Sequence, residues 1–497
     1  MPLWLSELLP IFLLLCTVGI VYSRLPKVQL GHSDAFLKRR IMNWLPLGMT
    51  YAFLYMGRYN LTAVKNSGII TGKQFGLIFG AGAAVYGLSF LLNGPLADRW
   101  GGRKTILIAA SGSAVCNALM GIGFMAGWTN GSDTVLIYSL LYGANMYFQS
   151  FGAVSIVKVN SSWFHVNERG MFAGIFGILI SLGIYFAFDW GHRIIANLSS
   201  AYYTATHQAS VLMAHLDDPS KLPNIKIVIT DGAQWVWFIP AMLLAVFFTI
   251  DFFIVRDKPS DAGQKDFDLE DATSGDDDER IPALQVFKRM LTNPIILTIA
   301  FVEFCSGFLR NAIMHWYRDF AKGMSLKEQF VYENWGMLLC IAGIMGGVFA
   351  GVISDRVFNS RRGPVAAVLY GIMLLGAIVM VPLLAGGNVG LIAIGYCVVF
   401  MSMAIIGVHG MLSGTASQDF GGSKNAGIAV GLIDGFVYIG TLFQAILLGY
   451  LLPAKGTDAA KDINNWKIWP YLMIPVALVG LVLAIKVWNA KPKPKKS

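Results

Sequence analysis

Residues 94–104 read Gly94-Pro95-Leu96-Ala97-Asp98-Arg99-Trp100-Gly101-Gly102-Arg103-Lys104, an apolar run that breaks into an acid–base pair, two glycines and two more cations. A shorter version returns in the second half as Ser354-Asp355-Arg356, with Arg361 and Arg362 behind it. Upstream of each lies an arginine in an otherwise apolar stretch. Arg58 precedes Asp98 by 40 positions, and Arg310 precedes Asp355 by 45. Two like units spaced in this way describe a chain built from two parallel repeats.

Composition says what medium those repeats occupy. The 497 residues are 55% hydrophobic and only 13% charged, whereas soluble domains carry roughly 25% charged residues. Twelve apolar stretches of membrane-spanning length follow from this reading, at 41–64, 75–97, 105–126, 135–160, 170–188, 235–255, 295–317, 334–353, 364–384, 389–412, 426–452 and 469–488. The expected fold is therefore an all-α integral membrane protein with two six-helix lobes. The expected divisions are an extra N-terminal transmembrane helix within 1–30, a first lobe at 31–255 with an outer insertion at 189–234, an acidic cytoplasmic linker at 256–293, and a second lobe with a basic tail at 294–497.

Loop charges orient the helices. Roughly 24 Lys and Arg fall on one side against about 11 on the other, which makes the richer side cytoplasmic. The net charge of +9 comes from those loops and is no nucleic-acid footprint. The stretch Trp4–Tyr22 has its positive charges, Arg24 and Lys27, behind it, the reverse of a cleaved signal peptide. It reads as a helix with its N-terminus outside, or as one lying in the interface because of Glu7 and Pro10. The five cysteines are scattered, with no metal or redox spacing, and no Gly-x-x-x-x-Gly-Lys-Ser/Thr motif is present. Neither a cofactor, a metal site nor a catalytic residue is expected.

An arginine at bilayer depth costs about 2.5–3.5 kcal/mol even on lenient scales, so it is retained mainly where it acts. Arg58 and Arg310 facing one cavity would clamp a doubly charged anion such as a phosphate group. Tyr51, Tyr55 and Arg58 are spaced i, i+4, i+7 and share a helix face. The alternative is structural: snorkelling, or pairing with a buried carboxylate, for which Glu303, two turns before Arg310, is the obvious candidate. Asp434 is another intramembrane acid, either functional or capping a kink beside Gly435. His315 and His409 are either proton-sensitive groups or satisfied core histidines. Lys158 and Glu303 are expected at similar depth in opposite lobes, where they either form an inner-gate contact or are each solvated at the cavity mouth.

The loop at 94–104 resembles the signature of the major facilitator superfamily, with Asp98 and Asp355 as gating acids. Tyr51, Tyr55, Arg58, Tyr86, Phe148-Gln149, Trp163-Phe164, Glu168-Arg169-Gly170, Phe308 to Trp316 and Tyr438 further resemble the organophosphate:phosphate antiporter family. The resemblance implies that Arg58 and Arg310 grip the substrate phosphate, with Tyr51, Tyr55, Tyr86, Tyr438, Trp316 and Gln149 lining the cavity. It also implies alternating access, a monomer and a bacterial inner membrane. The partners it implies are an organophosphate, inorganic phosphate and the lipid bilayer. Departures exist. Tyr59 stands where well-known bacterial members carry Lys, Phe90 replaces another Lys, Ile180 replaces a His, and Val154-Ser155-Ile156 replaces Pro-Pro-Cys. His315 stands where they carry Asp, so an outer-gate ion pair is expected to be missing. Two further readings stay open: a transporter-like membrane sensor of an organophosphate, and a proton-coupled organic anion transporter using Asp434 or Glu303.

Overall fold

The computed structural model describes residues 32–129, 131–165, 169–198, 232–269, 283–358, 361–454 and 457–490. The N-terminal stretch at 4–22, most of the insertion, the centre of the acidic linker and the basic tail lie outside the described residues, as do the side chains of Glu168, Arg169 and Asp355.

Twelve long helices run through the described residues. The first six are α1 (Asp34–Ser67), α2 (Gly72–Trp100), α3 (Gly102–Met125), α4 (Thr134–Trp163), α5 and α6 (Trp235–Ile254). Helix α5 runs over Arg169–Tyr185, passes through a π-helical turn at Phe186–Trp190 and ends with Gly191–Leu198. The second six are α7 (Pro294–Gly323), α8 (Trp335–Arg356), α9 (Arg362–Leu384), α10 (Gly387–His409), α11 (Ser417–Leu451) and α12 (Ile468–Lys486).

Local chemistry sets the ends. The Ser33 hydroxyl accepts from the Phe36 amide at 3.2 Å to start α1, and Gly68, at φ 89°, closes it in the left-handed region that glycine tolerates. Thr71 and Gln74 form a reciprocal capping box at the start of α2. Asn293 caps α7 ahead of Pro294, whose missing N–H costs nothing at a first-turn position.

Nine of the described helices are long and apolar enough to cross a membrane. Helices α1 and α4 fall below that standard in hydropathy and α8 in length, and burial explains why α1 can. Every residue of α1 from Thr50 to Lys65 is buried, so no face of that segment has to please lipid. Helices α1–α6 pack among themselves, as do α7–α12, and the two groups meet mainly along α2–α11 and α5–α8. These are repeat-related pairs.

The α2–α11 seam is tight because of glycine. A methyl group added at Gly94 would sit 2.7 Å from the Gly427 carbonyl, and one at Gly427 would sit 2.6 Å from the Gly94 carbonyl. The backbones meet there without side chains between them.

Two expectations change here. Helix α5 does not stop at 188. Its π-helical turn carries it to Leu198, so the first ten positions of the expected insertion are helix, and Asp189 is buried rather than looped out. Helix α1 likewise begins at Asp34 rather than 41, because the Ser33 cap extends it through Lys38, Arg39 and Arg40.

The chain leaving α6 is pinned to the first group. Asn43 donates to the Arg256 carbonyl at 3.1 Å and accepts from the Arg256 amide at 2.7 Å, while the Trp163 indole donates to the same carbonyl at 3.1 Å. Removing one partner of buried hydrogen bonds costs about 1–3 kcal/mol. Asn43→Ala should therefore lower the thermal midpoint of the detergent-solubilised protein, and an unchanged midpoint would show that the pin contributes nothing.

Candidate functional site

The interior of the bundle is organised around Arg58, which is wholly buried. Its Nε donates to Gln149 Oε1 at 2.9 Å, one terminal nitrogen donates to the Tyr86 hydroxyl at 2.7 Å, and the other donates to the Tyr438 hydroxyl. The rings of Tyr86 and Tyr55 lie 4.3 and 4.5 Å from the guanidinium carbon, within cation–π range. Tyr51 packs edge-on to Tyr55 with ring centres 5.2 Å apart. Every acceptor on Arg58 is neutral, so the group is solvated by the protein while its charge is not cancelled.

That solvation is relayed outward. Gln149 Nε2 donates to Ser113 Oγ and to Asn145 Oδ1, both at 3.1 Å, and Asn145 Nδ2 donates to the Gly57 carbonyl at 3.1 Å. The polar residues that lower the hydropathy of α4 are thus spent holding Arg58.

Arg310 is treated differently. It is also buried, and among the described residues none accepts a hydrogen bond from its Nε or from either terminal nitrogen. Tyr55, Tyr59 and Tyr438 interact electrostatically with both Arg310 and Arg58, which puts the two guanidinium groups around one shared tyrosine cluster. A packing gap too narrow to hold a water molecule lies beside Arg310, lined also by Ile184, Met314, Leu339, Ser402, Ile405 and Ile406.

The remaining acids and bases sort by depth. Glu303 Oε2 lies 2.8 Å from His409 Nδ1, and Asp434 Oδ1 accepts from Ser413 Oγ at 2.5 Å. The expected contact between Lys158 and Glu303 is not made. Lys158 Nζ lies 2.7 Å from Asp98 Oδ1, because α2 and α4 are neighbours in the same lobe. Asp98 also accepts from the amides of Gly427 and Ile428, at 3.2 and 3.1 Å, and so ties the cytoplasmic end of α2 to α11.

At the outer end the structure corrects another expectation, the absence of an ion pair. Lys65 Nζ lies 2.7 Å from Asp319 Oδ2, donates to the His315 carbonyl at 2.6 Å, and sits 4.4 Å from the centre of the Trp316 ring. The pair joins α1 to α7 one turn beyond the position at which His315 replaces an acid. His315 itself meets Thr62 Oγ1 at 2.9 Å and Asn311 Oδ1 at 3.0 Å. The Asn311 oxygen can only accept, so Nε2 carries the proton there and Nδ1 is left to accept from Thr62. Trp316 and His315 therefore belong to the outer closure rather than to the arginine cluster.

Sequence reasoning passed over Lys65, Asp319 and Asp189. A signal for the first was present, since Tyr51, Tyr55, Arg58, Thr62 and Lys65 continue one helical face at i, i+4, i+7, i+11 and i+14. If Lys65 and Asp319 act as a pair, Lys65→Ala and Asp319→Ala should be non-additive in melting experiments, with a coupling of about 0.5–3 kcal/mol. Strict additivity would reduce the contact to coincidence.

Comparison with known proteins agrees with this architecture. A bacterial homologue of the human lysosomal transporter Spinster, in an inward-facing and unoccupied conformation, superposes with TM-score 0.60 at 14% identity, covering 92% of this chain and 97% of that one. The transporter FucP in its outward conformation gives 0.57 at 15% identity, covering 90% and 99%. Among curated relatives, the glycerol-3-phosphate transporter of Bacillus subtilis is 25% identical over 92% of this chain and 94% of its own length. A probable hexose phosphate transport protein of Chlamydia trachomatis is 22% identical, with 92% of each chain covered. The membrane sensor protein UhpC of Escherichia coli is also 22% identical, over 92% of this chain and 93% of its own. The pattern of the Major Facilitator Superfamily matches residues 47–443, and with twelve long helices among the described residues in two groups of six the chain belongs to that superfamily as a multi-pass membrane protein.

Proposed function

We propose that this protein exchanges an organic phosphate for inorganic phosphate across the membrane by alternating access, with Arg58 and Arg310 binding the phosphate between the lobes. The observation that carries this reading is the state of Arg310, a buried guanidinium whose donors find no acceptor among the described residues. Burying such a group is costly unless a partner arrives. A phosphate presents several anionic oxygens in the bidentate geometry a guanidinium fits. The relatives named for glycerol phosphate and hexose phosphate transport support the same chemistry.

The two arginines also give a reason for exchange. With the clamp filled, the lobes can close around a neutralised centre. With it empty, closure buries positive charge for which the described residues supply no hydrogen-bonded carboxylate. Return of the carrier with a second phosphate is therefore easier than return without one. Tyr86, Tyr438 and Gln149 hold Arg58 in register, and Tyr51 and Tyr55 wall the cavity. The protein is expected to work as a monomer in a bacterial inner membrane.

Purified protein in liposomes preloaded with phosphate should take up labelled external phosphate, and one member of a panel of unlabelled organophosphates should compete. Arg58→Lys and Arg310→Lys should each cut exchange by about a hundredfold, because an ammonium lacks the planar fork and shifts the anion's position. Near-normal exchange in both variants would remove the clamp. The kinship with a membrane sensor favours a second reading, in which the same site binds an organophosphate and signals. Absence of exchange, with melting still shifted by the same panel, would select it over transport. Proton-coupled anion transport through Glu303 or Asp434 would appear instead as uptake that needs a pH gradient and no internal phosphate.

A further inference from the structure

The cytoplasmic seam is tied by an acid that reaches from one lobe to backbone amides of the other, Asp98 with Lys158 beside it. The outer seam carries a similar arrangement on different helices. Asp189, buried in the π-helical turn of α5, accepts from the amides of Gly336 and Met337 at 2.9 and 2.8 Å. Those two amides belong to the first turn of α8, where helical N–H groups have no partner within the helix. The other lobe's Arg318 donates to Asp189 Oδ1 at 3.4 Å and to the Tyr332 carbonyl at 3.2 Å. Both Asp189 and Arg318 are buried.

Two details make this more than a chance contact. Gly336 is the residue that lets the carboxylate in, since a methyl group there would lie 2.6 Å from Asp189 Oδ1. The π-helical turn is the second. It inserts an extra residue per turn, which rotates the residues after it about the helix axis. Such turns cost helix stability and are retained where they aim a side chain.

We propose that Asp189, Arg318 and the first turn of α8 form a latch that holds the outer side closed, and that opening outward means drawing the Asp189 carboxylate off the Gly336 and Met337 amides. This rests on the rocking of the lobes in the proposed function and on nothing about the substrate. The latch spans α5 and α8, the repeat-related counterpart of the α2–α11 seam that Asp98 ties. Each seam therefore has a carboxylate near the outgoing end of a first-lobe helix, a base beside it, and a pair of second-lobe amides to receive it. Rocking exchanges one latch for the other, and the structure has both made.

The test uses spin labels and no transported substrate. Cysteines replacing the exposed Ser132 and Val389 report the outer separation of the lobes, and cysteines replacing the exposed Lys104 and Lys486 report the inner one. In the full-length protein in nanodiscs, Asp189→Ala should raise the ratio of long to short outer distances by about tenfold, while Asp98→Ala should instead lengthen the inner distance. If Asp189→Ala fails to fold, Gly336→Ala provides the second route. It keeps both charges, pushes the carboxylate away, and should open the outer side in the same way. An unchanged outer distribution in a folded variant, with the inner one still responding to Asp98→Ala, would overturn the latch. A protein that exchanges no phosphate but opens in these variants would keep the latch and lose the transport reading, so the two fail separately.

Discussion

A guanidinium far from water is the constraint to which most of this structure answers. Arg58 cannot shed its proton, and at the centre of the bundle it has no solvent. Three acceptors on three helices surround it: Gln149 from α4, Tyr86 from α2 and Tyr438 from α11. The first of these needs Ser113 and Asn145 to satisfy its own amide, so the charge recruits a polar shell two residues deep. That shell leaves α1 and α4 less apolar than the helices that qualify as membrane spans. Exposed side chains such as Leu88 on α2, Leu140 on the outward face of α4 and Phe253 on α6 supply the lipid-facing surface. Hydrophobic pressure does not order the lobes here, because lipid is as apolar as leucine. Close packing and internal hydrogen bonds do.

Close packing is concentrated where the lobes touch. Gly94 against Gly427 allows backbone-to-backbone approach at the cytoplasmic side, and Gly336 lets a carboxylate reach amides at the outer side. Small residues at membrane helix crossings are the usual solution to this problem. The polar ties lie next to those glycines: Asp98 reaches Gly427, and Asp189 reaches Gly336. Lys65 and Asp319 add an ion pair between α1 and α7 at the same outer level. The seams are thus narrow, desolvated and hydrogen-bonded, in keeping with surfaces that separate and re-form as units.

Much of this was legible in the sequence, and the failures have physical causes. Helix number and order followed from apolar length, and the lobes from the repeated acid–base turn. Arg58, Tyr86, Gln149 and Tyr438 were singled out and do converge. Their role in binding is a proposal. Depth along a helix can be counted from sequence, but lateral neighbours cannot. Lys158 and Glu303 were therefore paired by depth, although Lys158 faces Asp98 within its own lobe and Glu303 faces His409. Trp316 comes six positions after Arg310, which turns it about 240° around the helix and carries it outward. Asp189 was read as the start of a loop because it is polar and followed by Trp-Gly-His-Arg. A π-helical turn has no sequence signature, so nothing marked the acid as buried.

The two arginines are unequal, and the inequality imposes an order. An anion approaching Arg310 displaces no protein acceptor, whereas one approaching Arg58 must first turn away the Tyr86 or Tyr438 hydroxyl. Under the proposed clamp, capture begins on the second lobe and is completed on the first. Tyr438 comes from the second lobe as well, so its release from Arg58 loosens a bond between the halves at the moment the anion bridges them. In the proposed cycle, arrival of the anion is thereby a handover, in which a tyrosine gives up its grip on the opposite lobe and the phosphate takes it.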